Sequence, residues 1–166
     1  ARRLVYFVCG MVLAACGSSA EEPAGPSASE RGDVDAILAA LSEDEAISIL
    51  EEADGFVAED LPARAGEMLE SGALPSMRRH IERVAAINVG TDLGRRLKAS
   101  ALEKLRMRET STAAYARILH RGLVEDLAFV DASAAQRHAE TALRVLSEEI
   151  QEIRHPEAAQ QAEEDE

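Results

Sequence analysis

Aromatic residues are scarce: three Phe, two Tyr and no Trp make up 3% of 166 residues. That shortage disfavours a sandwich or barrel built on β-branched and aromatic strands, and no segment alternates apolar and polar residues between turn signals. Basic residues are few, 18 against 31 acidic ones, and the net charge is -13. With no basic patch interleaved with aromatics, a nucleic-acid partner is not expected, because phosphate contacts need positive charge. Cysteines number only two, Cys9 and Cys16. What remains is 46% apolar and dominated by Ala, Leu, Glu and Arg, the composition of one domain of helices packed through small and aliphatic side chains.

A membrane-spanning run is also missing. The stretch Leu4 to Ala15 would rise only about 18 Å as a helix, against a hydrocarbon core of about 30 Å. It follows Arg2 and Arg3 and ends in Leu13-Ala14-Ala15-Cys16, small residues directly before a cysteine. This resembles the bacterial lipoprotein signal peptide, whose lipobox reads Leu, a small residue, Ala or Gly, then Cys. The resemblance implies that residues 1–15 are removed, that Cys16 carries a diacylglyceryl group and an acylated amino terminus, and that the chain is lipid-anchored in the cell envelope. No Asp stands at position 17, which by the same resemblance implies sorting to the outer membrane, facing the periplasm.

Removal of residues 1–15 takes two arginines and no acid, leaving a net charge of -15, and it takes Cys9 as well. Lipid chains and not electrostatics must then hold the protein to an anionic membrane, and no free thiol is left for a disulfide, a nucleophile or a metal. Residues 16–33 comprise the lipidated Cys and a Gly-, Ser- and Pro-containing tether without apolar period, and residues 156–166 read as a disordered acidic tail. The folded domain is expected over residues 34–155.

Within it the apolar spacing is helical. Val34, Ile37, Leu38 and Leu41 continue past Ser42, which has capping-box spacing to Glu45, into Ile47, Leu50 and Ala53, so one helix with a bend near Ser42 is predicted. Asp60 can cap a segment with Pro62 in its first turn, burying Ala65, Met68 and Leu69; Gly72 and Pro75 interrupt it before Met77, Ile81 and Val84 resume the stripe. One kinked helix and two helices are both compatible with this pattern. Thr91 and Asp92 open a third helix through Leu97, Ala101 and Leu105. Thr110 or Ser111 caps a fourth with Tyr115, Leu119, Leu127 and Val130, and Ser133 caps a last one burying Ala139, Leu143, Leu146 and Ile150. The expected fold is all-α, an antiparallel bundle of four main helices with a short extra one.

The long first helix, the run Asp60-Leu61-Pro62-Ala63-Arg64-Ala65-Gly66-Glu67-Met68-Leu69, and Leu102-Glu103-Lys104-Leu105 leading into Thr112-Ala113-Ala114-Tyr115-Ala116-Arg117 resemble a bacterial envelope family of unknown function, outer-membrane proteins with a ferritin-like helical bundle. The sequence departs from that family. Members carry an acid-His pair after the Met-Leu of the second helix and a histidine-rich fourth helix, where this chain has Glu70-Ser71-Gly72 and His120 alone.

The departure bears on metal chemistry. A di-iron carboxylate site needs two Glu-x-x-His pairs plus a Glu from each of two more helices. Only Glu152-Ile153-Arg154-His155 has that spacing, in the last turn before Pro156, where a cationic His simply suits the helix dipole. Glu152 and His155 are therefore weak metal candidates. His80, His120 and His138 have no acid three or four residues away and read as solvated or capping. Nucleophile elbows and Walker loops are missing, and Gly90 to Arg96 follows a helix, not a strand. Asp126 and Asp131 are the least implausible buried carboxylates.

No catalytic residue and no cofactor are expected. The favoured reading is a non-enzymatic lipoprotein that serves in envelope maintenance or in an interaction, meeting a basic protein partner through acidic helix faces. The alternative is a ferritin-like metal-binding or redox protein with a reduced site.

Overall fold

The computed structural model describes residues 25–122, 124 and 126–155. The signal peptide, Cys16, the first part of the tether and the acidic tail lie outside these residues. Every regular element among the described residues is helical, in the order α1 (Ala28–Ser42), α2 (Ala46–Ala58), α3 (Pro62–Met68), a π turn (Leu69–Ala73), α4 (Leu74–Ala86), α5 (Asp92–His120) and α6 (Leu127–Arg154). No described helix is long and apolar enough to cross a membrane.

α3, the π turn and α4 follow one another without a break. The cause is Pro75, which offers no N–H to Ser71 and would drive its ring against that carbonyl in a regular α-helix. The backbone widens instead, and the Leu74 N–H reaches back five residues to the Leu69 carbonyl. Gly72 and Pro75 thus deform the rod and do not end it.

α5 and α6 form an antiparallel hairpin. Tyr115 meets Phe129 close to the connection, with ring centroids 5.6 Å apart, and Arg108 meets Glu140 further out. The connection turns at Gly122, whose φ of +67° lies in the left-handed region that costs glycine nothing. α3 and α4 run antiparallel to α5 as well: the backbone of Gly66 lies against Ala116 and His120, Arg78 bonds Glu109, and Lys98 donates to the carbonyls of Ala85 and Ile87.

The apolar core is in two parts. One gathers Leu50, Ala53, Ala65, Leu69, Met77, Tyr115 and Leu119 at the end holding the α2–α3 and α5–α6 connections. The other gathers Val34, Ile37, Val84, Leu97, Leu105, Leu143, Leu146 and Ile150 at the end where α1 starts. α5 contributes to both, with one stripe running from Leu97 through Ala101 and Leu105 to Tyr115 and Leu119.

Several expected boundaries are corrected. α1 begins at Ala28, inside the stretch read as tether, because Ser27 and Glu30 form a reciprocal capping box: the Ser27 hydroxyl accepts from the Glu30 N–H and the Glu30 carboxylate accepts from the Ser27 N–H at 2.8 Å. The first predicted helix is two, broken at residues 43–45. Ser42 turns its hydroxyl back to the Ala39 carbonyl, and Asp44 caps α2 at the Ala46 N–H. Asp60 caps nothing; it takes a φ of +61° and α3 starts from Leu61 and Pro62.

The predicted third and fourth helices are one. Thr112 and Ser111 are buried inside α5, and the Ser111 hydroxyl is satisfied by the Arg108 carbonyl, so it need not end the helix. The cap of α6 is Asp126, which accepts from the Ala128 N–H, and Ser133 lies inside the helix. That earlier start leaves Leu127 and Val130 exposed, at 79% and 56%, where a core stripe was expected.

Gly66 marks the closest approach of two helices. A Cβ there would sit 2.8 Å from the His120 nitrogen and 2.9 Å from the Ala116 oxygen. Gly→Ala inside a helix ordinarily gains up to about 1 kcal/mol, but here backbone must move. Gly66→Ala is expected to destabilise by about 1 to 2 kcal/mol. A gain in denaturant midpoint would show that α3 stands off α5.

Candidate functional site

Between the two apolar clusters lies a layer of polar side chains. His80 and Ser76 come from α4, Arg108 and Thr112 from α5, Gln136 and Glu140 from α6, and Asp44 from the α1–α2 connection. His80, Arg108 and Asp44 expose only 2%, 3% and 5% of their side chains. Each of the helical residues occupies a core register: His80 sits between Met77 and Val84, Arg108 between Leu105 and Thr112, Gln136 between Ala132 and Ala139.

Arg108 donates from Nη1 to Asp44 Oδ2, and its Nε lies 3.3 Å from Glu140 Oε1. His80 Nε2 is 2.9 Å from the Ala40 carbonyl of α1, while Nδ1 is 3.5 Å from Asp44 Oδ1. One layer therefore ties α1, α4, α5 and α6 to the hinge before α2. Burial alone would raise the Asp44 carboxyl; the adjacent His80 imidazole, the hydrogen bond and charge of Arg108 and the Ala46 N–H outweigh it and hold that carboxyl well below the usual range. Glu140 goes the other way. Burial raises it, the charges of Asp44 and Asp54 add to the effect, and Arg108 only partly opposes them.

An Asp beside a His is the orienting half of an acid-base relay. Here the other ring nitrogen is committed, since a carbonyl only accepts and Nε2 must carry its proton toward Ala40. The nearby Ser76 hydroxyl points to Glu45 Oε2 at 3.4 Å and not to the imidazole. The geometry is that of a structural clamp. An inner cavity of about 170 Å³ touches it, lined by Asp44, His80, Arg108, Glu140, Leu105 and Arg144 among others.

Beside that cavity, and sharing Ile47 and Glu140 with it, opens a cleft of about 450 Å³ between α2 and α6. It exists because α2 packs on α3, the π turn and α4, while none of its Cα atoms comes within 8 Å of one in α5 or α6. Leu50 and Tyr115 lie at its floor, Glu51 and Asp54 on the α2 wall, and Ser133, Gln136, Arg137 and Thr141 on the α6 wall. Burial raises the Asp54 carboxyl, opposed by Arg137; burial and the Asp54 charge raise the Tyr115 phenol.

The residues singled out from sequence fall elsewhere. Glu152 and His155 are both exposed at the end of α6, and no group of three or more His, Cys, Asp or Glu that could hold a metal ion occurs among the described residues. His120 is exposed in the last turn of α5. Asp126 and Asp131 are exposed too, which corrects their placement near the inner stripe; the helix starts earlier and Asp126 is its cap. His80, read as solvated or capping, is 1% exposed and clamped. The N-terminus of α5 holds the Asp33 carboxylate, which accepts from the Gly90 and Thr91 N–H groups and from the Thr91 hydroxyl.

Sequence reading missed the layer and the cleft. A signal for the layer was present, since His80, Arg108 and Gln136 interrupt apolar stripes in register. Comparisons of the chain with protein-family models, with curated proteins and with solved structures found no match.

Proposed function

We propose that the chain is a bacterial lipoprotein, anchored through lipid on Cys16 to the outer membrane and facing the periplasm. Its ferritin-like helical-bundle domain works as a non-catalytic interaction module, meeting a basic protein partner through acidic helix faces. The observation that carries the reading is Leu13-Ala14-Ala15-Cys16, set after two arginines and a short apolar stretch. Two features of the fold support it. The polar clamp ties four helices to a hinge, with the His80 ring held between the Ala40 carbonyl and Asp44. α1 starts at one end of the helical domain, where Asp33 and Asp35 fasten it to Thr91 and Arg154. From that end α5 runs about 43 Å.

Labelled palmitate is expected to enter the chain, and Cys16→Ala to abolish labelling and leave an uncleaved or soluble form. Two or more acyl chains give stable attachment where one is marginal. Capture of the partner from crosslinked envelopes should fall steeply between about 0.1 M and 1 M salt, as the Debye length shrinks from about 10 Å to about 3 Å. A Cys16→Ala protein still cleaved and still detergent-extracted would overturn the anchor. Salt-independent capture would overturn the acidic surface.

A further inference from the structure

The cleft between α2 and α6 has the chemistry of a site for a small ligand with two opposite charges. Asp54 on the α2 wall receives no hydrogen bond and pairs with no cation within 4 Å among the described residues. Across from it on α6, Arg137 is close enough to act on the Asp54 carboxyl but bonds only the Ser133 hydroxyl, at 2.5 Å. The two charges face one cavity from opposite sides without meeting.

Two deeply buried polar side chains line the same cavity. Tyr115 is 5% exposed and Gln136 is 9% exposed, and neither the phenol nor the carboxamide finds a hydrogen-bond partner among the described residues. Their polar ends reach solvent in the cleft, where a ligand can meet them. A carboxamide offers donors and an acceptor together, the complement of a peptide group. Leu50 and Ile47 supply an apolar surface beside them, and Ile47 is 49% exposed although large and aliphatic. At about 450 Å³ the cleft is within the range of small-molecule pockets.

From this arrangement we infer that the cleft binds a short peptide with free termini: its ammonium on Asp54, its carboxylate on Arg137, its peptide group on Gln136 and its apolar side chains against Leu50 and Ile47. A simple amine would leave Arg137 and Gln136 without partners, and a simple carboxylate would leave Asp54 without one. The inference does not depend on the lipid anchor.

The test is calorimetric titration of the full chain with the dipeptide Leu-Leu, its N-acetyl form and its C-terminal amide. Leu-Leu is expected to bind, and each capped form to bind about tenfold more weakly, the worth of one charged contact. Asp54→Asn should erase the penalty for acetylation while keeping that for amidation, and Arg137→Gln should do the reverse. Both residues are exposed, so circular dichroism should show both variants folded. No heat with Leu-Leu at about 1 mM would overturn the proposal. So would equal binding of the capped forms, or a preference for free termini that neither substitution alters.

Discussion

Arg108→Leu is expected to lower the stability of the domain by about 3 to 5 kcal/mol, the cost of leaving a buried charge without its partner. Arg108 is 2% exposed and is the cation that Asp44 and Glu140 share. Without it the carboxylates of Asp44 and Glu140 are left facing each other with no cation between them, and the capped start of α2 loses the group that orients its cap. Denaturant unfolding followed by far-UV circular dichroism gives the number. Adding Asp44→Asn to Arg108→Leu should recover part of the loss, because the remaining partner then carries no charge. A loss below about 1 kcal/mol for the single variant would mean that water reaches the guanidinium.

The second large effect is in the core cluster at the end where α1 starts. Ile150 is 0% exposed and Leu146 is 3% exposed, and both pack in one cluster with Val34, Ile37, Leu97 and Leu143. Truncation to Ala removes transfer energy and leaves a cavity that the neighbouring helices only partly close, so Ile150→Ala and Leu146→Ala should each cost about 2 to 5 kcal/mol. For a domain whose total stability is about 5 to 15 kcal/mol, that is a large fraction. Shifts below about 0.5 kcal/mol for both would place this face of α6 in solvent.

The helices themselves were readable from spacing. Most residues chosen from the stripes as core, among them Val34, Ile37, Leu69, Met77, Leu105, Leu119 and Ile150, are buried, while Ile47, Leu127 and Val130 are exposed. What failed were boundaries, each for a local reason. Ser111 looked like a cap because its hydroxyl usually competes with the helix, yet it bonds back to Arg108 and the helix continues. Ser27 and Glu30, the actual capping box of α1, stood in a stretch whose Gly and Pro content suggested a tether.

The clamp was half readable. His80, Arg108 and Gln136 stand at core registers, and an arginine in an apolar stripe demands a buried acid. Which acid could not be told, because Asp44 comes from a connection with no periodicity of its own, 64 residues before Arg108. The cleft was not readable at all. It arises where α2 stands away from α5 and α6, and stripe patterns say which face of a helix is covered, not how closely.

The π turn at Leu69–Ala73 gives the rod one residue more than a regular helix of the same rise would hold. Each residue turns an α-helix by about 100°, so in a regular helix the spare residue would rotate everything after it by that much relative to Ala65 and Leu69. Upstream, those two residues face the core near the α2–α3 connection; downstream, Met77, His80 and Val84 still face inward, because the wider turn takes up the spare residue locally. Straightening the rod at its present length would swing His80 away from Asp44. The bulge thus keeps the inward faces of α3 and α4 in phase.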